Sequence, residues 1–141
     1  MLEVFRRSEV ELILHAGDLT SMDVVDELSE VAEVVAVQGN MDAYYGTRLP
    51  EKRVLSLGGM RVLVFHGSGV YPRGDASKLA YIAREHGCDV IVTGHTHAPA
   101  LVERGGVRIV NPGSPTNPRR SFPSVAVAEF GEGMRVEFVR V

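Results

Sequence analysis

Apolar positions along this chain follow two rhythms. Short unbroken runs at 11–15 (ELILH), 33–38 (EVVAVQ), 61–65 (RVLVF) and 89–93 (DVIVT) have the length and β-branched content of buried strands. Elsewhere the spacing lengthens to threes and fours. Val24, Val25, Leu28 and Val31 predict a helix over 21–32, with Ser21 as cap and Asp23 and Asp26 complementing its N-terminal dipole. Leu79, Ala80, Ile82 and Ala83 predict a second helix, capped by Asp75 or Ser77 and stopped after His86 by Gly87. Leu2, Val4 and Phe5 beside Arg6 and Arg7 read as the last two turns of a helix over 1–8.

The remaining strands come in hairpins. Gly58-Gly59 joins 53–57 to 61–65, Gly105-Gly106 joins 100–103 to 107–110, and Gly131-Glu132-Gly133 joins 124–130 to 134–141, because glycines supply the positive φ of tight turns. The first half thus alternates strand and helix and the second half is mostly hairpins. That order predicts an α/β fold, a layered αββα-type sandwich with parallel strands early and antiparallel strands late. All 141 residues, 45% of them hydrophobic, suit one domain, 1–141.

Charge and cysteine content narrow the function classes. Fifteen basic and 18 acidic residues are intermixed for a net charge of -3, so no basic face is expected and a bound nucleic-acid polymer is disfavoured. A small phosphate ester remains compatible with that balance. The one cysteine, Cys88, excludes an internal disulfide and fits a reducing compartment. No apolar run approaches the ~20 residues of a membrane span, and Glu3, Arg6, Arg7 and Glu9 interrupt the opening residues, so no membrane association is expected and the location read is cytoplasmic.

The chemistry sits where the buried runs end. Ile13 to Asp18 (ILHAGD), Val35 to Asp42 (VAVQGNMD), Val62 to Gly67 (VLVFHG) and Val90 to Pro99 (VIVTGHTHAP) each pass from apolar residues to glycine and a carboxylate, amide or imidazole. Open α/β sheets gather ligands at the carboxyl ends of their strands, so Asp18, Asn40, His66, His95 and His97 can converge. This thiolate-free N/O set suits first-row divalent ions such as Mn²⁺, Fe²⁺, Ni²⁺ or Zn²⁺. A bridging carboxylate at Asp18 would allow two ions ~3.5–4 Å apart, the arrangement that clamps the attacking and leaving oxygens of a phosphoryl displacement.

Gly17-Asp18, Gly39-Asn40-Met41-Asp42, His66-Gly67 and Gly94-His95-Thr96-His97, in that order, resemble the motifs of the calcineurin-like metallophosphoesterases. The small single-domain branch is the nearest likeness, with its bacterial and archaeal phosphodiesterases and the retromer subunit vacuolar protein sorting 29. Asn111-Pro112-Gly113-Ser114 is similar to a late loop of that branch. The resemblance implies a metal-dependent phosphoesterase acting on phosphodiesters through a metal-activated water, with two divalent ions in the complete site, manganese foremost and nickel, iron or zinc as alternatives. It implies Asp18 as the bridging ligand, Asn40, His66 and His95 completing one metal position and His97 serving the other. Asn40 and Asp18 would also be catalytic, since the Asn40 amide adds no charge and keeps its NH₂ for the substrate.

His15 and Asp42 would orient ligands and loops, His15 being equally readable as a strand-end histidine with a satisfied hydrogen bond. His86, in the last turn of its helix, has no catalytic role. Arg119 and Arg120 read as solvated loop residues, and no substrate-binding residue is assigned.

Two departures from the family pattern bear on activity. Met41 stands where larger phosphatases of the family carry a histidine. No Asp-x-His precedes Asp18, so the first metal position draws only Asp18 and His97 from these residues, and weak or no activity is expected of the 141-residue form. Without the family's first strand, Leu12, Ile13, Leu14, Val35 and Val37 need another cover, which predicts a homo-oligomer or a low-stability monomer. The competing reading is a non-catalytic protein-interaction module of the retromer-subunit kind with an eroded metal site.

Overall fold

The computed structural model describes residues 1–18, 22–40, 42, 48–114 and 123–141. Its elements, in chain order, are α1 (Leu2–Arg7), β1 (Leu12–His15), α2 (Met22–Ser29), β2 (Glu33–Ala36), β3 (Lys52–Leu57), β4 (Met60–Phe65), α3 (Ala76–Glu85), β5 (Val90–Val92), β6 (Pro99–Arg104), β7 (Val107–Pro112), β8 (Ser124–Gly131) and β9 (Gly133–Arg140). Five strands form a mixed sheet in the order β3-β4-β5-β7-β6, with β4-β5 and β5-β7 parallel and the outer pairs antiparallel. β1 pairs with β2 in parallel, and β8 with β9 antiparallel.

Alternation along the central strands builds the layers. Leu63, Phe65, Ile91, Val107 and Ile109 face α3, whose Leu79, Ala80 and Ala83 pack against them. Their neighbours Val62, Val90 and Val110 point the other way, onto Leu14, Leu57, Phe130, Met134 and Val136. Beyond that second layer, α1 and α2 cover β1 and β8 through Val4, Phe5, Ile13, Leu28 and Val125. The result is the layered α/β sandwich that the sequence pattern predicts. Each fully buried side chain of the Leu63 and Leu79 kind is worth about 1.5–3 kcal/mol, so α3 is firmly docked.

Two details differ from the sequence pattern. α2 ends at Ser29 instead of continuing to 32, with Val31 and Ala32 in a turn whose N–H groups donate to the Leu28 carbonyl. The second glycine hairpin is antiparallel within itself, but its inner strand β7 lies parallel to β5, so parallel pairing persists late in the chain. Of the two caps that the sequence allows for α3, Asp75 is the one used, its carboxylate accepting from the Lys78 N–H, as expected. The Ser21 cap lies outside the described residues, as do Met41, Arg119 and Arg120.

A cavity of about 630 Å³ separates parts of the second layer. Consecutive residues of β1 (Leu12, Ile13, Leu14) and of β8 (Ala126, Val127, Ala128) line it, whereas β7 contributes alternate ones, Val110 and Pro112. Consecutive residues mark a strand's edge and alternate ones its face. The cavity therefore lies over the five-stranded sheet between the edges of β1 and β8, and neither edge is paired to a strand among the described residues. Ile13, Val35 and Val37 are buried, while Leu12 and Leu14 are only partly covered. Among the described residues no helix is long and apolar enough to cross a membrane.

Candidate metal centre

β1, β2, β4 and β5 end on one side of the molecule, and the residue after each short loop turns inward. His66, immediately after β4, is the fixed point, with 2% of its surface exposed. Its Nδ1 lies 2.7 Å from the Ala16 carbonyl oxygen, which can only accept, so Nδ1 carries the proton and Nε2 faces the site. Around Nε2 stand Asn40 Oδ1 at 2.9 Å, His95 Nδ1 at 3.2 Å and Asp18 Oδ2 at 3.3 Å, the last an ion pair whenever the imidazole is protonated. The His66 and His95 rings meet edge to face, 5.0 Å between centroids.

The backbone that delivers these groups is held in uncommon conformations. Four described non-glycine residues have positive φ, and three of them are the predicted ligands Asp18 (58°), His95 (70°) and His97 (60°). Each such residue costs of order 1 kcal/mol, a cost that persists only where surrounding contacts fix it. Asp42 supplies one such contact. It is fully buried, and its Oδ2 accepts the N–H groups of Gly39 at 2.7 Å and Asp18 at 2.9 Å, tying the first ligand loop to the second. Gly17 and Gly39 permit that approach: a Cβ on Gly17 would lie 2.8 Å from Gly39 Cα and 2.9 Å from His66 Nδ1, and one on Gly39 would collide with Asp18.

His15 lies behind the ligands, its Nδ1 accepting the Gly17 N–H at 3.2 Å. Burial lowers its pKa, against the opposing pull of Asp42 and Asp18. The His95 pKa is also lowered, first by desolvation and then by the charges of His66 and Arg73, with Asp18 opposing and His97 adding a smaller push in the same direction. Both shifts favour neutral imidazole, the form that can offer a lone pair to a metal. Arg73 is exposed, yet close enough to act on His95, and nothing in its local sequence signals the site.

The structure thus brings Asp18, Asn40, His66 and His95 together, places His97 two residues along the same loop, and sets His15 and Asp42 against that loop cluster. His86 is elsewhere, its Nδ1 donating to the Ile82 carbonyl at the end of α3. Three residues to which the sequence analysis assigns no role also hold the loops: Thr93, whose hydroxyl donates to the His66 carbonyl at 3.0 Å, and Asn111 with Thr96, both of them inside quoted motifs. The bonds from Thr93 to His66 and from Asn111 to Gly94 and Thr96 join residues distant in sequence, so no local pattern announces them.

The donor set fits a divalent cation. Ligand bonds of ~2.1 Å place neighbouring donor atoms roughly 3.0 Å apart in octahedral and roughly 3.4 Å apart in tetrahedral coordination. The three spacings about His66 Nε2 fall in or beside that interval. Among the described residues, His, Cys, Asp and Glu alone form no group of three able to hold an ion, and the Asn40 amide is the donor that completes the cluster.

Residues 1–133 match the calcineurin-like phosphoesterase superfamily domain. The chain is 48% identical over 141 residues to a probable metallophosphoesterase of Methanothermobacter thermautotrophicus, covering 99% of this chain and 80% of that protein. It is 44% identical over 118 residues to a probable metallophosphoesterase of Methanocaldococcus jannaschii, covering 84% of this chain and 60% of that protein. In fold it is similar to Vps29 of Entamoeba histolytica. A single mutant of that protein superposes with a TM-score of 0.83 at 28% identity, covering 99% of this chain and 87% of the other. Its wild-type complex with Zn²⁺ gives 0.81 at 26%, covering 98% and 86%. Sequence match, fold and the ordered ligand loops lead to one assignment: this chain belongs to the calcineurin-like phosphoesterase superfamily.

Proposed function

We propose that the chain is a metal-dependent phosphodiesterase whose ligands are Asp18, Asn40, His66 and His95 at one position, with Asp18 and His97 serving a second. The observation that carries this reading is the crowding of three donor atoms within 3.3 Å of His66 Nε2. Divalent ions, manganese foremost, would supply charge neutralisation and an acidified water nucleophile. The protein's part is positional. Ala16 fixes the tautomer of His66, Asp42 fixes the Asp18 loop, and exposed Asn40 stands at the rim, where its NH₂ can donate to a phosphate oxygen. Arg73, near His95, offers the cation that a phosphodiester would meet on entry.

The test is hydrolysis of bis-p-nitrophenyl phosphate with Mn²⁺ by the wild type and by His66→Ala and Asp18→Ala. Mn²⁺-dependent release of nitrophenol that both substitutions abolish is expected. Turnover that survives in His66→Ala would reject the assignment.

One observation favours a second reading, a non-catalytic interaction module. Leu101 and Val102 on edge strand β6 are 49% and 37% exposed, an apolar pair open to a partner. A wild type that binds no divalent metal would favour it. For the enzyme we further propose a cytoplasmic location, in keeping with the free, buried Cys88. We also propose association with a second copy, which would cover the edges of β1 and β8 that pair with no strand among the described residues.

A further inference from the structure

We propose that Asn111 is the positioning residue of the histidine loop, holding His95 and His97 in their left-handed conformations so that both imidazoles are presented to the metal centre; this rests on the metal-centre reading above. Asn111 ends the apolar part of β7, one residue beyond the Val92–Val110 pair of the parallel β5-β7 ladder. The next bond of that ladder runs from the Thr93 N–H to the Val110 carbonyl at 2.9 Å. The ladder therefore carries Asn111 level with the point where β5 gives way to Gly94-His95-Thr96-His97. Its side chain is buried, with 4% of the residue's surface exposed.

All the polar capacity of that amide is directed at loops. Nδ2 donates to the Gly94 carbonyl at 3.1 Å and to Thr96 Oγ1 at 2.8 Å, the residues that flank His95 and separate it from His97. Oδ1 accepts the Gly113 N–H at 3.0 Å, fixing the amide's own orientation. Thr96 passes the restraint on: its Oγ1 also lies 3.4 Å from the Ala98 N–H, and its own N–H donates to the Gly94 carbonyl at 2.8 Å. The bonds to Gly94 and Thr96 bracket His95, and the weaker one to Ala98 lies on the far side of His97. A loop with two non-glycine residues at φ of 70° and 60° relaxes when such restraints are removed. Two donors and an acceptor on one planar carboxamide are the inventory of Asn and Gln, and Gln carries that head one methylene farther from the strand.

Asn111→Asp tests this with almost no change of shape. The aspartate keeps an acceptor for Gly113 but turns an oxygen toward the Gly94 carbonyl. Titration with Co²⁺, read from its visible d–d bands, should show affinity about 10–100-fold below wild type, the usual cost of losing a group that orients a metal ligand. Thr96→Val, which deletes only the relay hydroxyl, should lose up to about 10-fold, and the double variant should be little worse than Asn111→Asp alone. In the metal-free proteins, side-chain NMR should show the His95 and His97 ring resonances shifted or broadened in both variants while His86 is unchanged.

Wild-type Co²⁺ affinity in both variants, with unmoved His95 and His97 resonances, would overturn the inference. So would full additivity in the double variant. Should Asn111→Asp fail to fold, Thr96→Val alone decides by the same readouts. A wild type that binds no Co²⁺ would refute the metal-centre reading, whereas the metal-free resonances would still judge the Asn111 restraint.

Discussion

Replacing Asp42 by alanine isolates the contact that ties the Asp18 loop to the Asn40 loop. Its Oδ2 accepts two backbone N–H groups, from Gly39 at 2.7 Å and Asp18 at 2.9 Å, inside a fully buried environment. Hydrogen bonds to a charged acceptor contribute about 1.5–3 kcal/mol each, and truncation leaves both donors without that oxygen. Burial argues against water as a full substitute at Gly39, and the positive φ of Asp18 loses one of its restraints. The expected loss is about 3–5 kcal/mol, a large share of the 5–15 kcal/mol that holds a typical domain together. In a chain of this length that corresponds to a fall in Tm of roughly 10–20 °C.

Asp42→Asn is the control, since its carbonyl oxygen can still accept both N–H groups and only the charge is lost. It should cost about half as much or less. Urea denaturation followed by circular dichroism measures both, and Co²⁺ titration of the folded fraction reports whether Asp18 remains in place. An Asp42→Ala protein within about 1 kcal/mol of wild type, or an Asn variant no better than the Ala variant, would show that these two bonds do not organise the centre.

Gly39→Ala should lower stability by more than about 2 kcal/mol and abolish Co²⁺ binding because its Cβ collides with Asp18, although Gly→Ala at unstrained sites stabilises by about 0.4–1 kcal/mol; unchanged Co²⁺ affinity would refute the clash. In the metal-free protein, His15 and His95 have pKa values lowered from 6.5, so the unfolded chain takes up protons first as pH falls. Stability is then highest above pH 6.5 and declines through the window between 6.5 and the lowered folded values, and a flat urea midpoint from pH 7.5 to 5 in this pair's contribution, measured against His15→Gln/His95→Gln, would contradict the desolvation argument. Sedimentation should give a mass above that of one 15.3 kDa chain, and a stable monomer at micromolar concentration would dismiss the second copy as the cover for the cavity.

Most of this site is legible in the sequence because a buried strand advertises both itself and its end. The runs ending at His15, Phe65 and Thr93 read as strands from their unbroken apolar character, which puts the polar residues just beyond them at the carboxyl ends of those strands. Boundaries were less legible for a physical reason. Val31 and Ala32 keep the apolar rhythm of α2 because they pack on the same core as Val4 and Leu28, yet the chain has already turned after Ser29, whose hydroxyl donates to the Val25 carbonyl at 2.7 Å. The parallel pairing of β7 with β5 was not legible either, since glycine turns specify only the partner within the hairpin. Asn111 and Thr93 act through carbonyls 17 and 27 residues away, and spacing carries no trace of such contacts.

With Nδ1 committed to Ala16, His66 Nε2 presents its lone pair beside the oxygens of Asn40 and Asp18 and the ring nitrogen of His95, and a cation is what such a group of donors attracts. The neighbouring shifts lean the same way, because desolvation at His15 and His95 discourages added protons in the same pocket. The backbone strain at Asp18, His95 and His97 has the same sense, since a fold gains nothing from three left-handed residues on converging loops unless their side chains are needed where they point.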